Sequence, residues 1–237
     1  MKKIFKSIGY CLSVPFVVVA TFFGLLSARR KAKKYRKDPT NVFLQDRLKV
    51  VNKLFRKFLY IKRVEIVTEG IELLPAKQML YIANHKSILD PMVMFNALYE
   101  AGKLGATTFI CKYELSKHWY TRSVIQLIDG IFLQRDNGRS IYECYLKENE
   151  YLKKGHSIIV YPEGTRVPGD EFKEFKPATL KVAFENFVAI APIVLYGNDK
   201  KRKFGNKKTV YISALKPIQP NNFINIKQEQ LMESLKA

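Results

Sequence analysis

Two short stretches carry side chains whose types and spacing suit chemistry. The first is YIANHKSILDP, Tyr81 to Pro91, in which His85 is followed five residues later by Asp90. A neutral imidazole accepts a proton from an alcohol near pH 7, help worth about 10²–10⁴ in rate. A carboxylate on the other ring nitrogen fixes the tautomer and stabilises the imidazolium that forms. The pair meets if His85 sits in a turn after a strand and Asp90 lies one helical turn onward. The same pattern also serves as a polar cap, with Asn84, Ser87 or Asp90 as capping residue. The second stretch is YPEGTR, Tyr161 to Arg166. There Glu163, Gly164, Thr165 and Arg166 form a tight turn with an outward guanidinium, a planar fork suited to phosphate. Gly164 lets backbone approach a ligand closely. Read alone, the stretch is equally a turn with an internal Glu163–Arg166 ion pair. Lys112 and Arg135 each follow an apolar run and are either anion ligands or solvated surface charges.

The elements that must position these residues are legible as short apolar runs alternating with helical patterns. Strands are expected at 79–83, 107–111, 130–135, 157–162, 188–196 and 208–215, and helices from Ile88 to about Gly102, at WYTRSVIQLI, at 140–155 and at ATLKVAFEN. Gly155 is a plausible residue just past a helix end. The alternation predicts an α/β fold, a mixed sheet flanked by helices. Sites in such folds sit where strands end, which is where Asn84-His85 and Glu163–Arg166 fall.

Charge and hydropathy add a second theme. The 237 residues carry 41 Lys and Arg against 21 Asp and Glu, a net charge of +20. Lys2, Lys3, Lys6, Arg29, Arg30, Lys31, Lys33, Lys34, Arg36 and Lys37 supply half of that excess, with no acid among residues 1–37. Between them, Ser7 to Ala28 is uncharged and long enough to cross a hydrocarbon core as a helix, although Pro15 and Gly24 also allow a re-entrant or in-plane seat. A membrane anchor is the expectation, over a cleaved signal peptide or a buried helix. The heavier basic cluster after it places the body on the cytoplasmic side and suits anionic membrane lipid. In the next segment Leu44, Leu48, Val51, Phe55 and Phe58 make one apolar helical face, facing either the core or the bilayer surface. The expected division is an anchor at 1–37, an amphipathic basic helix at 38–63 and an α/β domain at 64–237. Basic surface, including the run 200–208, suits an acidic carrier protein, anionic lipid or the phosphates of coenzyme A, or is a solvated loop. No nucleic-acid-binding module is visible. Cys11, Cys111 and Cys144 form no CxxC or disulfide framework, and His85, His118 and His156 lack zinc-ligand spacing, so no metal is expected. Serine-hydrolase, P-loop and dinucleotide fingerprints are missing.

Taken in order, NHKSILD, KYEL with GIFLQR, YPEGTR followed by FK, and APIV resemble the glycerolipid acyltransferase family, specifically the 1-acyl-sn-glycerol-3-phosphate acyltransferases, over roughly residues 75–200. The resemblance implies transfer of a fatty acyl group from a thioester of acyl carrier protein or coenzyme A to the sn-2 hydroxyl of lysophosphatidate, giving phosphatidate, with no further cofactor. It implies His85 and Asp90 as the catalytic pair. It makes Glu163, Gly164 and Arg166 binders of glycerol phosphate, and matches Lys112, Gly130, Arg135 and Pro192 to the family's basic, glycine, arginine and late proline positions. Two departures bear on substrate fit: Pro177-Ala178 follows Phe175-Lys176 where a glycine is usual, and Gln134 stands where an acid is common. Acylation of glycerol 3-phosphate or another lysophospholipid, and a catalytically silent membrane-bound scaffold, are the alternatives.

Overall fold

The computed structural model describes residues 2–167, 169, 171, 173–198 and 206–236, with side chains from Gly9 onward. Residues 200–205 of the basic run lie outside the described residues. Seven strands, β1 (Val64–Glu69), β2 (Met79–Ala83), β3 (Thr107–Lys112), β4 (Ile131–Leu133), β5 (Ser157–Val160), β6 (Ala189–Tyr196) and β7 (Lys208–Ala214), form one sheet in the order β1-β7-β6-β2-β5-β3-β4. β6, β2, β5, β3 and β4 are mutually parallel, and β7 turns back antiparallel to β6 with β1 parallel beside it. The sheet is therefore mixed, with β2 at its centre.

Burial on both faces explains why MLYIA reads as an unbroken apolar run. Met79, Tyr81 and Ala83 pack into the layer of α2 (Leu44–Ile61), α3 (Asp90–Glu100) and α4 (Trp119–Leu127), while Leu80 and Ile82 face the opposite layer. That second layer comprises α5 (Gly138–Lys153), α6 (Lys181–Asn186) and α7 (Gln228–Lys236). Gly155 caps α5 as expected: at φ 80° it lets its own N–H reach Leu152 O and that of His156 reach Tyr151 O. Pro192 lies inside β6, where the ladder to the following chain breaks. Its carbonyl still accepts from Leu215 N–H at 2.9 Å, and pairing resumes at Ile190–Ile218.

Four features differ from the sequence reading. β1 is an added edge strand whose VEIVTE sequence is mostly exposed, so it shows no buried run. α7 is a short helix burying only Leu231 and Met232. GIFLQR is a strand only to Leu133, and SIIVYP only to Val160, which frees Tyr161 and Arg135 for loops at the strand ends.

The N-terminal helix α1 (Lys2–Lys37) and α2 form an antiparallel pair. Tyr10 Oη donates to Ile61 O, Lys57 Nζ donates to Ala20 O at 2.9 Å, and the Arg47 guanidinium lies 4.0 Å from the Tyr35 ring. A Cβ at Gly24 would lie 2.8 Å from Leu54 Cδ2, so the glycine sets the close approach of the helices. The far end is pinned by a buried Arg47–Asp129 ion pair at 2.8 Å, with Tyr35 Oη donating to the same carboxylate at 2.7 Å. The apolar stripe of α2 turns inward, with Leu48 and Val51 in the core and Phe55 edge-on to Phe95 at 5.2 Å. On α1, by contrast, Leu12, Phe16, Val19 and Phe23 project outward at helical spacing, with Phe16 77% exposed. Gly9–Lys37 is long and apolar enough to cross a membrane.

One buried acid lies away from this region. Among the described residues, the hydrogen-bond partner of Glu148 on α5 is the Cys144 thiol, 3.3 Å away, and burial pushes its carboxyl up to about 7. A carboxyl raised in the folded state binds a proton there that the unfolded chain has released, so its contribution falls as pH rises from about 4.5 to 7. Glu148→Gln removes this loss. We expect the variant to gain on the wild type by up to about 3 kcal/mol between pH 5 and 8. Thermal unfolding in detergent at the two pH values checks this, and a pH-independent difference would contradict it.

Candidate active site

The carboxyl ends of the central parallel strands gather one polar cluster. The ladder sets Ile82 of β2 beside Val160 of β5, so His85 and Glu163, each three residues further on, rise to similar heights above the sheet edge. Asn84 ends β2. Its side-chain amide donates to Leu195 O at 2.8 Å, and its Oδ1 accepts from Leu195 N–H at 2.7 Å, which locks the strand end to β6.

His85 and Asp90 meet. Nδ1 of His85 lies 2.8 Å from Asp90 Oδ2, and the same oxygen accepts the N–H groups of Lys86 and Ser87, each at 2.7 Å. Oδ1 accepts from the Asn198 side-chain amide, two residues beyond β6. Asp90 and Asn198 are both fully buried. Asp90 is the first residue of α3, so its carboxylate is at once the closure of the strand-to-helix loop and the partner of the imidazole. The other groups facing it are all donors, so Asp90 is the acceptor in this bond too, Nδ1 donates, and Nε2 is the ring nitrogen left for a substrate. His85 is only partly covered, and its ring stacks on Tyr161, centroids 4.3 Å apart and planes 21° apart. The Tyr161 hydroxyl is buried without a hydrogen-bond partner among the described residues. Burial, and then the charge of Asp90, raises it well above the usual phenol range.

The loop after β5 is fastened to His85 from both sides. His85 N–H donates to Glu163 Oε1 at 2.9 Å, and Val167 N–H donates to His85 O at 2.8 Å. Glu163 is therefore not paired with Arg166; it is 1% exposed, and its Oε2 has no partner among the described residues. Burial pushes its carboxyl up, opposed by the N–H groups of His85 and Lys173 and the nearby Lys86 ammonium. Gly164 closes a turn through its N–H to Tyr161 O at 3.0 Å and takes φ 65°, a backbone conformation that favours glycine. Thr165 and Arg166 follow on the surface, and Arg166 makes no ion pair among the described residues. Lys176 lies alongside, its ammonium 3.6 Å from where a Cβ on Gly164 would sit.

The remaining sequence candidates share the sheet edge but not the cluster. Lys112 ends β3, two strands from β2 or about 10 Å across, and pairs on the surface with Glu114 at 3.1 Å. Arg135 follows β4, three strands away or about 15 Å, and is exposed. Gly130 enters β4 where a Cβ would strike Ile125 Cγ2 at 2.3 Å. Tyr161, Lys176 and Asn198 were not among the candidate site residues. The available signal for Asn198 was its place just after a predicted strand. Among the described residues, no three His, Cys, Asp or Glu side chains gather to hold a metal.

Comparison with known proteins agrees with this geometry. A protein of Mycoplasma pneumoniae named "Probable 1-acyl-sn-glycerol-3-phosphate acyltransferase" is 32% identical, covering 99% of this chain and 95% of its own. A protein of the same name from Mycoplasma genitalium is also 32% identical, covering 95% and 88%. The crystal structure of the 1-acyl-sn-glycerophosphate acyltransferase PlsC from Thermotoga maritima superposes with a TM-score of 0.68 at 24% identity, over 99% of this chain and 93% of that one, and so shares the fold. The family model described as Acyltransferase matches residues 65–196, spanning β1 to the end of β6 and with them the His85–Asp90 pair and the Glu163–Arg166 turn, and the chain belongs to that family.

Proposed function

We propose that the protein is a 1-acyl-sn-glycerol-3-phosphate acyltransferase, moving a fatty acyl group from a thioester to the sn-2 hydroxyl of 1-acylglycerol 3-phosphate to form phosphatidate. The observation that carries the reading is the 2.8 Å His85–Asp90 contact with a phosphate-suited turn fastened to the backbone of the same histidine. Nε2 of His85 takes the proton of the hydroxyl as its oxygen attacks the thioester carbonyl carbon. The C–S bond then breaks, and the imidazolium returns the proton to the leaving thiolate. Asp90 holds the tautomer and balances the imidazolium. No acyl-enzyme and no cofactor enter this sequence.

Arg166 holds the acceptor's phosphate by its guanidinium fork, with Gly164 and Thr165 shaping the approach and Glu163 holding the turn to His85. Lys112 joins it at the cost of an exposed ion pair that contributes little. Arg135, further along the edge, is suited to the phosphates of a coenzyme A or acyl-carrier donor. Oxyanion donors follow by subtraction. The N–H groups of His85, Lys86, Ser87, Gly164 and Val167 are already engaged, which leaves those of Ile88, Thr165 and Arg166 without a protein acceptor among the described residues.

The protein is membrane-associated, with the outward face of α1 as its apolar seat. One side of α1 is bonded to α2, so lipid meets a face of this helix rather than its whole circumference. This favours insertion into one leaflet, with the basic cluster at 29–37 and the catalytic body on the cytoplasmic side.

Three outcomes test these assignments. His85→Ala lowers acyl transfer to lysophosphatidate by about 10²–10⁴ with an unchanged circular dichroism spectrum; near-wild-type turnover would refute the base. Arg166→Ala raises KM for lysophosphatidate about tenfold or more while leaving donor KM in place, and a change confined to the donor would remove the phosphate assignment. The double substitution Phe16→Glu with Phe23→Glu lowers flotation with vesicles more than about tenfold, and undiminished flotation would move the membrane seat elsewhere.

A further inference from the structure

A second cationic feature lies away from His85. Between α1 and α4 is a cleft of about 250 Å³. Arg29, Lys33 and Arg36 line it from one face of α1, at spacings of four and three residues, and Trp119 and Arg122 line it from α4. The Arg29 guanidinium lies 5.3 Å from the Trp119 ring. No carboxylate lines the cleft, and none of the four cations makes an ion pair among the described residues. The helices nevertheless meet here closely enough to bury Ala28 and Ala32. Arg29, Lys33, Arg36 and Arg122 are all exposed, so water screens their mutual repulsion while the cleft stands open, and an anion seated among them is attracted by all four at once.

We infer that this cleft binds the phosphate of an anionic phospholipid headgroup. Three guanidiniums and an ammonium suit a phosphate ester, to which guanidinium forks bond bidentately. Lipid rather than free phosphate is the occupant because of what adjoins the cleft. The exposed Phe23 precedes Arg29 by six residues on the same helix, about 9 Å along its axis. One leaflet is about 20 Å deep, so a single lipid can set its phosphate among the cations and its acyl chains against the aromatic face. The anion then ties α1 to the body through Arg122, and membrane composition governs how firmly the apolar helix is docked. The inference rests on the membrane seat of α1 and not on the chemistry at His85.

Trp119 is the protein's single tryptophan, so its emission reports on the cleft. The test titrates the full chain in detergent with phosphatidylcholine vesicles, with vesicles also containing phosphatidylglycerol, and with inorganic phosphate. Arg122→Gln is compared with Arg30→Gln, an exposed arginine of α1 outside the cleft. The expected result is an emission change with phosphatidylglycerol vesicles whose midpoint shifts at least about tenfold in Arg122→Gln, and no more than about fivefold in Arg30→Gln, the effect of a diffuse surface charge. Equal shifts in both variants overturn the site in favour of diffuse attraction. An equal response to inorganic phosphate alone overturns the lipid assignment. No response to phosphatidylglycerol overturns the inference altogether. Unchanged flotation of Arg122→Gln on phosphatidylcholine, with unchanged acyl transfer in micelles, shows that the membrane seat and catalytic reading stand whichever result is found.

Discussion

The carboxylate of Asp90 is the interaction on which the site depends. Removing an anion wholly from water costs several kcal/mol unless its lone pairs are filled, and here four donors from two parts of the chain, residues 85–87 and Asn198, fill them. Two are successive backbone N–H groups, so the carboxylate folds the loop after β2 back onto the start of α3. The third is the imidazole, whose ring is oriented as a by-product of that folding. The fourth is Asn198, which draws the end of β6 against the same point. One buried charge thus converts a strand–turn–helix connection into a fixed presentation of Nε2.

The second half of the site follows from sheet order. β2 is central, with β5 on one side and β6 on the other, so the loops that leave all three strands converge above it. The loop after β5 has no regular partner and is held by His85 itself, through Glu163 and the Val167 N–H. Three buried oxygens in this region, Tyr161 Oη, Glu163 Oε2 and Asn198 Oδ1, lack hydrogen-bond partners among the described residues. Elsewhere in a folded protein such groups are paired, because leaving one unpaired costs about 1–3 kcal/mol. Three of the six such atoms among the described residues gather around the His85–Asp90 pair, the others being Arg47 Nε, Asn52 Oδ1 and Asn96 Oδ1, and a surface built to meet a polar substrate carries groups of this kind.

Much of this was legible in the residues. Apolar runs buried in the sheet announce themselves, so β2, β3, β5 and β6 were visible, β7 showed by its alternation, and the His85–Asp90 spacing permitted the contact that forms. β1 was not visible because an exposed edge strand has no need of apolar alternation, and α7 because nine residues burying two side chains make a weak periodic signal. Asn198 was missed for a different reason. Its role is to fill a lone pair on a residue 108 positions earlier in the chain, and local pattern does not encode that pairing. The same limit applied to Glu163, whose neighbour in sequence, Arg166, suggested an ion pair, while its partner in space is the His85 N–H. Lys112 and Arg135 were rightly placed at strand ends, but the order of the strands, which separates them from His85, is a tertiary fact.

Topology also joins the site to the membrane-seeking helix. β1 and β7 run opposite to β2, β5 and β6, so the edge of the sheet where the site-bearing strands end is the edge where β1 and β7 begin. α2 enters β1 through Lys62 and Arg63, which sets its C-terminal residue Ile61 at that edge. Tyr10 is bonded to Ile61, and the apolar residues of α1 lie in the turns that follow it. The first turns of the exposed apolar face and the imidazole therefore lie at the same edge of the sheet. An enzyme acting on a lipid that stays in its leaflet requires this of its fold: the reactive nitrogen must face the surface on which the protein rests. Here the antiparallel return of two strands brings the start of the apolar helix face and the imidazole to one edge of the sheet.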